Sequence, residues 1–213
     1  MDHRYIVVEG PIGVGKSSLT NILAERMNAR RVMEVVEENP FLASFYSDRA
    51  KYAFQTQMFF LLSRFKQQQE LFQQDLFRTN TVSDYLFAKD KIFALLTLDP
   101  NELSLYDRVF DALGTRVMKP DLVIYLQARM DVLVHRIKRR GREFERKFDT
   151  GYLEDLCRSY NDFFFHYTET PLLVVNTSDI DFVNNADDLE NLMSVVRQTK
   201  KGTVHYQPLP SKK

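Results

Sequence analysis

Much that would assign a chain to a special class is missing here. A single cysteine, Cys157, excludes an internal disulfide and any cysteine-built metal centre, and suits a reducing compartment. Tryptophan is absent, and glycine and proline number only 7 each in 213 residues, so collagen-like and linker-rich sequences are excluded. No unbroken apolar run is longer than that at 58–62, far short of the ~20 residues that cross a bilayer. Neither sign of charge is in excess: 29 Lys and Arg balance 29 Asp and Glu, which argues against a chain that lives by neutralising nucleic-acid phosphates. Met1-Asp2-His3-Arg4 leads straight into apolar residues, without the h-region of a secretory leader. With 44% apolar and 27% charged residues the composition is that of an ordinary folded protein. These absences predict a cytoplasmic globular protein with no membrane and no nucleic-acid partner.

What is present reads as one α/β domain over 1–199, followed by a flexible tail over 200–213. Strands are predicted at 5–8, 31–36, 79–85, 122–126 and 172–175, each a short β-branched or apolar run. Helices are predicted at 17–27, 49–77, 92–98, 131–139, 152–168 and 187–199; in the first, Leu19, Ile22, Leu23 and Met27 form one apolar stripe. Strands alternating with helices predict a five-stranded parallel sheet flanked by helices.

Between the first strand and the first helix lies Gly10-Pro11-Ile12-Gly13-Val14-Gly15-Lys16-Ser17, followed by Ser18. The spacing matches G-x-x-x-x-G-K-[ST], in which glycines let successive N–H groups turn inward around a phosphate and the helix N-terminus faces the same anion. Lys16 would reach the β- and γ-phosphates, and the Ser17 hydroxyl would ligate Mg²⁺. ATP or GTP binding follows, and the chain has no N-K-x-D string to read guanine as a GTP switch would.

Other residues point two ways when taken alone. Glu34, near a strand end, is placed either to accept a proton from an acceptor hydroxyl or simply to face water. Asp84 at the end of the third strand suits either a helix cap or a place beside the Mg²⁺. Gln57 and Arg64 are seven residues apart on one helix face, about 10 Å along its axis, either as an exposed polar stripe or as readers of a base edge. Arg136, Lys138, Arg139, Arg140, Arg142, Arg146 and Lys147 crowd around Gly141 as a solvated basic face or as a cationic lid over a transferred phosphoryl group.

Taken together, these motifs resemble the deoxynucleoside kinase family, particularly the bacterial deoxyadenosine/deoxyguanosine kinases, over about residues 5–197. The resemblance implies a P-loop kinase fold with a basic lid, ATP as donor, Mg²⁺, a deoxynucleoside acceptor and a homodimer. Within Glu34-Val35-Val36-Glu37-Glu38-Asn39-Pro40 it makes Glu34 the general base, with Val35 in place of a proline and Glu37 as the other candidate. It assigns Tyr46 to the sugar, and Gln57, Arg64 and Asp90 to the base, with Phe93 stacked on it. It assigns Arg136, Arg140 and Arg142 to the phosphates, Glu145 to the 3′-hydroxyl, and Asp181 and Phe182 to the donor adenine. Asp84 is expected beside the metal, but Tyr85 follows it where the family usually carries arginine. A deoxycytidine-preferring kinase, a nucleoside monophosphate kinase and a non-catalytic nucleotide-binding protein are the alternatives.

Overall fold

The structure, a computed structural model, describes residues 3–74, 80–114, 117–142 and 149–208. Six strands, β1 (Tyr5–Glu9), β2 (Arg30–Val32), β3 (Thr81–Ser83), β4 (Leu122–Gln127), β5 (Leu172–Asn176) and β6 (Thr203–Tyr206), form one parallel sheet in the order β2-β3-β1-β4-β5-β6. The helices are α1 (Lys16–Arg26), α2 (Leu42–Ser47), α3 (Arg49–Gln74), α4 (Asp90–Thr97), α5 (Pro100–Gly114), α6 (Met130–Arg140), α7 (Thr150–Phe165) and α8 (Ala186–Gln198). Among the described residues no helix is long and apolar enough to cross a membrane.

Side chains alternate across a strand, and here the two faces bury different cores. Ile6 and Val8 of β1, with Ile124 and Leu126 of β4, meet Leu19 and Leu23 of α1, Leu133 and Ile137 of α6, and Leu192 and Val196 of α8. Tyr5 and Val7, with Val123 and Tyr125, meet Phe45 of α2 and an aromatic row from α7, Tyr152, Tyr160 and Phe164. A smaller cluster of Leu61, Phe87, Ala94 and Tyr106 lies under α5. Helix α7 is capped by the Asp149 carboxylate, which accepts from the Gly151 N–H, and α8 by Asn185, which accepts from the Asp187 and Asp188 N–H groups.

The sheet differs from the expected one at both edges. The predicted flexible tail contains a sixth strand: β6 pairs with β5 from Leu172↔Thr203 to Val175↔Tyr206, and Val204 and Tyr206 pack on the core. The predicted strand 31–36 pairs only over Arg30–Val32 because the Glu34 N–H turns to the Asp84 carboxylate, 2.6 Å away, instead of to a neighbouring strand. Within the described part of the predicted strand 79–85, which begins at residue 80, β3 takes in Thr81–Ser83, and α2 and α5 lie where no helix was expected.

Truncation after Lys201 would remove β6 with Val204 and Tyr206. It is expected to lower the unfolding free energy by about 2–4 kcal/mol in urea denaturation, whereas loss of a merely frayed tail leaves the midpoint unchanged.

Candidate active site

The loop 10–15 joins β1 to α1 at the carboxyl edge of the sheet, where open α/β folds place their ligands. Its glycines are required by the backbone. Gly13 has φ +84°, and a Cβ there would lie 2.7 Å from Ile137 Cγ1 and 3.0 Å from the Leu133 carbonyl oxygen. Gly15, just before α1, offers no side-chain cap, so the first amides of the helix face the loop. Lys16 Nζ donates to the carbonyl oxygens of Gly10 at 2.7 Å and Pro11 at 3.2 Å. Burial pushes the Lys16 ammonium down to about 8, with the Lys89 charge adding to the effect.

Alternation across the strands then sorts the acids. Beyond β3, Asp84 continues on the α1 side, and its Oδ2 accepts from Ser17 Oγ at 2.9 Å. Glu9, the last residue of β1, points to the opposite face. There Oε1 accepts from the Gly10 N–H at 2.8 Å and from the Tyr160 hydroxyl at 3.1 Å, while Oε2 accepts from the Leu86 N–H at 2.8 Å.

Two residues past β2, Glu34 lies between these two acids. Its Oε1 accepts from Arg64 Nε at 2.9 Å and from Arg64 Nη2, and its Oε2 accepts from Lys89 Nζ at 3.0 Å. Arg64 also pairs with Asp90, which is fully buried. Burial opposes the Glu34 charge, but Arg64 and Lys89 outweigh it and hold the carboxyl well below the usual carboxylate range. Glu34 is therefore ionised at neutral pH, the form that accepts a proton. Glu37, the other candidate, is largely exposed and pairs with Arg142 at 2.7 Å.

One cavity of about 760 Å³ takes in both halves of the predicted site. Ile12, Gly13, Val14, Gly15, Lys16, Ser17, Ser18, Glu34 and Asp84 line it, as do Tyr46, Gln57, Arg64 and Phe93. Gln57 donates from Nε2 to Thr97 Oγ1 at 3.4 Å, and Phe93 stands edge-on to Tyr160 with ring centroids 6.0 Å apart. Gly10 and Pro11 contribute carbonyls to Lys16, and Asp90 sits behind Arg64. The rim carries Arg136, Arg139, Arg140 and Arg142 together with Asp181 and Phe182. Arg136 is bound to the loop itself: it donates to the Val14 carbonyl at 3.1 Å and to Thr177 Oγ1 and carbonyl at 3.1 and 3.0 Å. Phe182 covers Gly15, and Asp181 is held by the Val183 and Asn184 N–H groups. Glu145 lies outside the described residues.

Several contributors were not predicted. Lys89 and Glu9 are buried beneath the cavity, and Phe45, Phe60 and Tyr152 line it. A faint signal existed for Glu9, a lone charge directly after the apolar run Tyr5-Ile6-Val7-Val8, but none for Lys89, which Asp90 and Lys91 follow. Tyr85, in place of the expected arginine, is fully buried with Tyr5 and Val7 on the α7 side of the sheet.

A phosphate loop on a parallel sheet, with a strand-end acid, a second buried carboxylate and a basic rim, defines a P-loop kinase, and the comparisons give its family. The sequence model of the deoxynucleoside kinase family matches residues 6–200, and the chain belongs to that family of enzymes. A deoxyguanosine kinase of Bacillus subtilis is 38% identical over 199 residues, 91% of this chain and 96% of that protein. A deoxyadenosine kinase of Lactobacillus acidophilus is 33% identical over 207 residues, with 91% and 94% covered. Among solved structures, deoxyadenosine kinase from M. mycoides with bound dCTP superposes with a TM-score of 0.79 at 26% identity, covering 91% of this chain and 99% of that one.

Gly13→Ala is expected to weaken ATP binding about tenfold, because a left-handed alanine pressing on α6 displaces the loop amides. Titration with a fluorescent ATP analogue checks this against Gly202→Ala, which is strained at φ +64° but meets nothing within 4 Å, and whose affinity is expected to stay unchanged.

Proposed function

We propose that the protein transfers the γ-phosphoryl group of ATP to the 5′-hydroxyl of a purine deoxynucleoside, deoxyadenosine and/or deoxyguanosine. The observation that carries this reading is the convergence in one cavity of the phosphate loop and Glu34 with Gln57, Arg64 and Phe93. Relatives named deoxyguanosine kinase and deoxyadenosine kinase at 38% and 33% identity support the purine assignment.

In this reading Glu34 accepts the proton of the 5′-hydroxyl while the oxygen bonds to the γ-phosphorus. The bond from that phosphorus to the β,γ-bridging oxygen breaks, and its electron pair leaves with ADP. Lys16, Arg140 and Arg142 stabilise charge on the transferring group, and Arg136 holds the loop. Gln57 and the Arg64–Asp90 pair read the base edge, Phe93 stacks on it, and Tyr46 and Glu145 bind the sugar. Discrimination follows because a wrong base leaves buried donors or acceptors unpaired. Asp181 and Phe182 bound the donor's adenine.

Mg²⁺ suits the hard oxygen donors Ser17 Oγ and Asp84 Oδ2, which lie 2.9 Å apart beside the loop. Bound there, the ion would neutralise charge on the donor phosphates. We also read the protein as cytoplasmic, in line with its lone, half-buried Cys157. A homodimer through the long helices fits the half-exposed Leu62 on α3 and Leu105 on α5.

Steady-state assays with ATP/Mg²⁺, the four deoxynucleosides and dAMP test the reading, with Glu34→Gln alongside. A purine deoxynucleoside is expected to turn over, and Glu34→Gln to lower kcat by about 10²–10⁴. Phosphorylation of dAMP alone, or undiminished turnover by Glu34→Gln, would contradict it.

A further inference from the structure

Lys89 is a charged side chain placed at considerable cost. It closes the short 3-10 turn Phe87–Lys89, just before α4, and it is only 2% exposed. An ammonium group is buried this deeply only when carboxylates receive it. Two stand near. Glu9 Oε2 is 3.7 Å away, beyond hydrogen-bond reach, and Glu9 already accepts three hydrogen bonds, from the Gly10 and Leu86 N–H groups and from Tyr160. Glu34 Oε2 is 3.0 Å away and accepts directly from Lys89 Nζ. The hydrogen bond of Lys89 therefore goes to the site carboxylate, and Glu9 is satisfied without it.

The division of lone pairs on Glu34 gives this contact its meaning. Each carboxylate oxygen offers about two acceptor positions. The Arg64 fork fills both on Oε1 through Nε and Nη2. Lys89 occupies one on Oε2, so the remaining position is on the oxygen that Lys89 holds. Arg64 reaches the group from α3 and Lys89 from the turn before α4, so the carboxylate is fixed in rotation from two sides.

We infer that Lys89 is a positioning residue for the reaction, anchoring Glu34 Oε2 so that its open lone pair faces the acceptor hydroxyl. This rests on the reading of Glu34 as proton acceptor. Lys89 does not line the cavity and acts through Glu34 alone. It supplies from the following turn the cation that Tyr85, packed into the core, does not provide.

The test compares wild type, Lys89→Met, Glu34→Gln and the double variant in kcat and KM for the preferred purine deoxynucleoside at saturating ATP/Mg²⁺. Lys89→Met is expected to lower kcat about tenfold or more, with KM and the Kd for ATP within about threefold. In the Glu34→Gln background the same substitution is expected to change kcat by less than about threefold, because the group it positions is gone. The inference is overturned if Lys89→Met keeps wild-type kcat, if the two losses multiply, or if neither Lys89→Met nor Lys89→Gln folds and binds ATP. Full activity in Glu34→Gln would instead overturn the reading of Glu34, so the two failures are distinguishable.

Discussion

At the cavity floor, five charges alternate in a largely buried row: Glu9, Lys89, Glu34, Arg64 and Asp90, of which Glu34 and Arg64 line the cavity. They come from five segments, namely β1, the turn before α4, the loop after β2, α3 and α4. Each would be prohibitively costly to bury alone; Lys89, Glu34, Arg64 and Asp90 are tolerable because their neighbours in the row carry the opposite sign, and Glu9 because two N–H groups and a hydroxyl also bond it. Such a row sets the distances between its segments, because displacing any one of them leaves a buried charge unpaired. Three carboxylates against two cations leave a net negative charge, with Lys16 of the phosphate loop nearby to offset it. The packing of α3 and α4 against the sheet and the shape of the site are therefore consequences of one arrangement.

The two faces of the sheet divide the chemistry. Alternation sends Asp84 toward Ser17 on the α1 side, where the proposed reaction would place phosphates and Mg²⁺, and Glu9 toward Tyr160 on the α7 side, where it would place the acceptor's base and sugar. Glu34 belongs to neither strand. Its N–H is held by Asp84 and its carboxylate by the charge row, so the residue read as proton acceptor bridges the phosphate half and the nucleoside half. Arg136 makes a similar link on the far rim by bonding the loop at Val14 to Thr177 beyond β5.

Local patterns carried most of what could be read beforehand. The phosphate loop was legible because its glycines answer to a local demand, the positive φ at Gly10, Gly13 and Gly15. The central strands were legible because parallel strands buried on both faces are continuous apolar runs. Nonlocal partners decided the rest. Val35 and Val36 look like strand residues, yet pairing ends at Val32 because an aspartate fifty residues away takes the Glu34 N–H. Residues 203–206 carry a weak pattern and become a strand only because β5 presents an open edge. In the sequence Lys89 is one more lysine; only the approach of Glu34 distinguishes it.

Glu34 and Arg64 form one energetic unit, and a double-mutant cycle on stability separates this from mere proximity. Glu34→Gln, Arg64→Met and the pair would be unfolded in urea beside the wild type. A coupling energy of at least about 1.5 kcal/mol is expected, because the direct Glu34–Arg64 contact is lost in both single changes and counted once in the double, while the partners left behind, Asp90 and Lys89, cancel in the cycle. Additivity within about 0.5 kcal/mol would contradict it, meaning that the two side chains share a cavity without depending on each other.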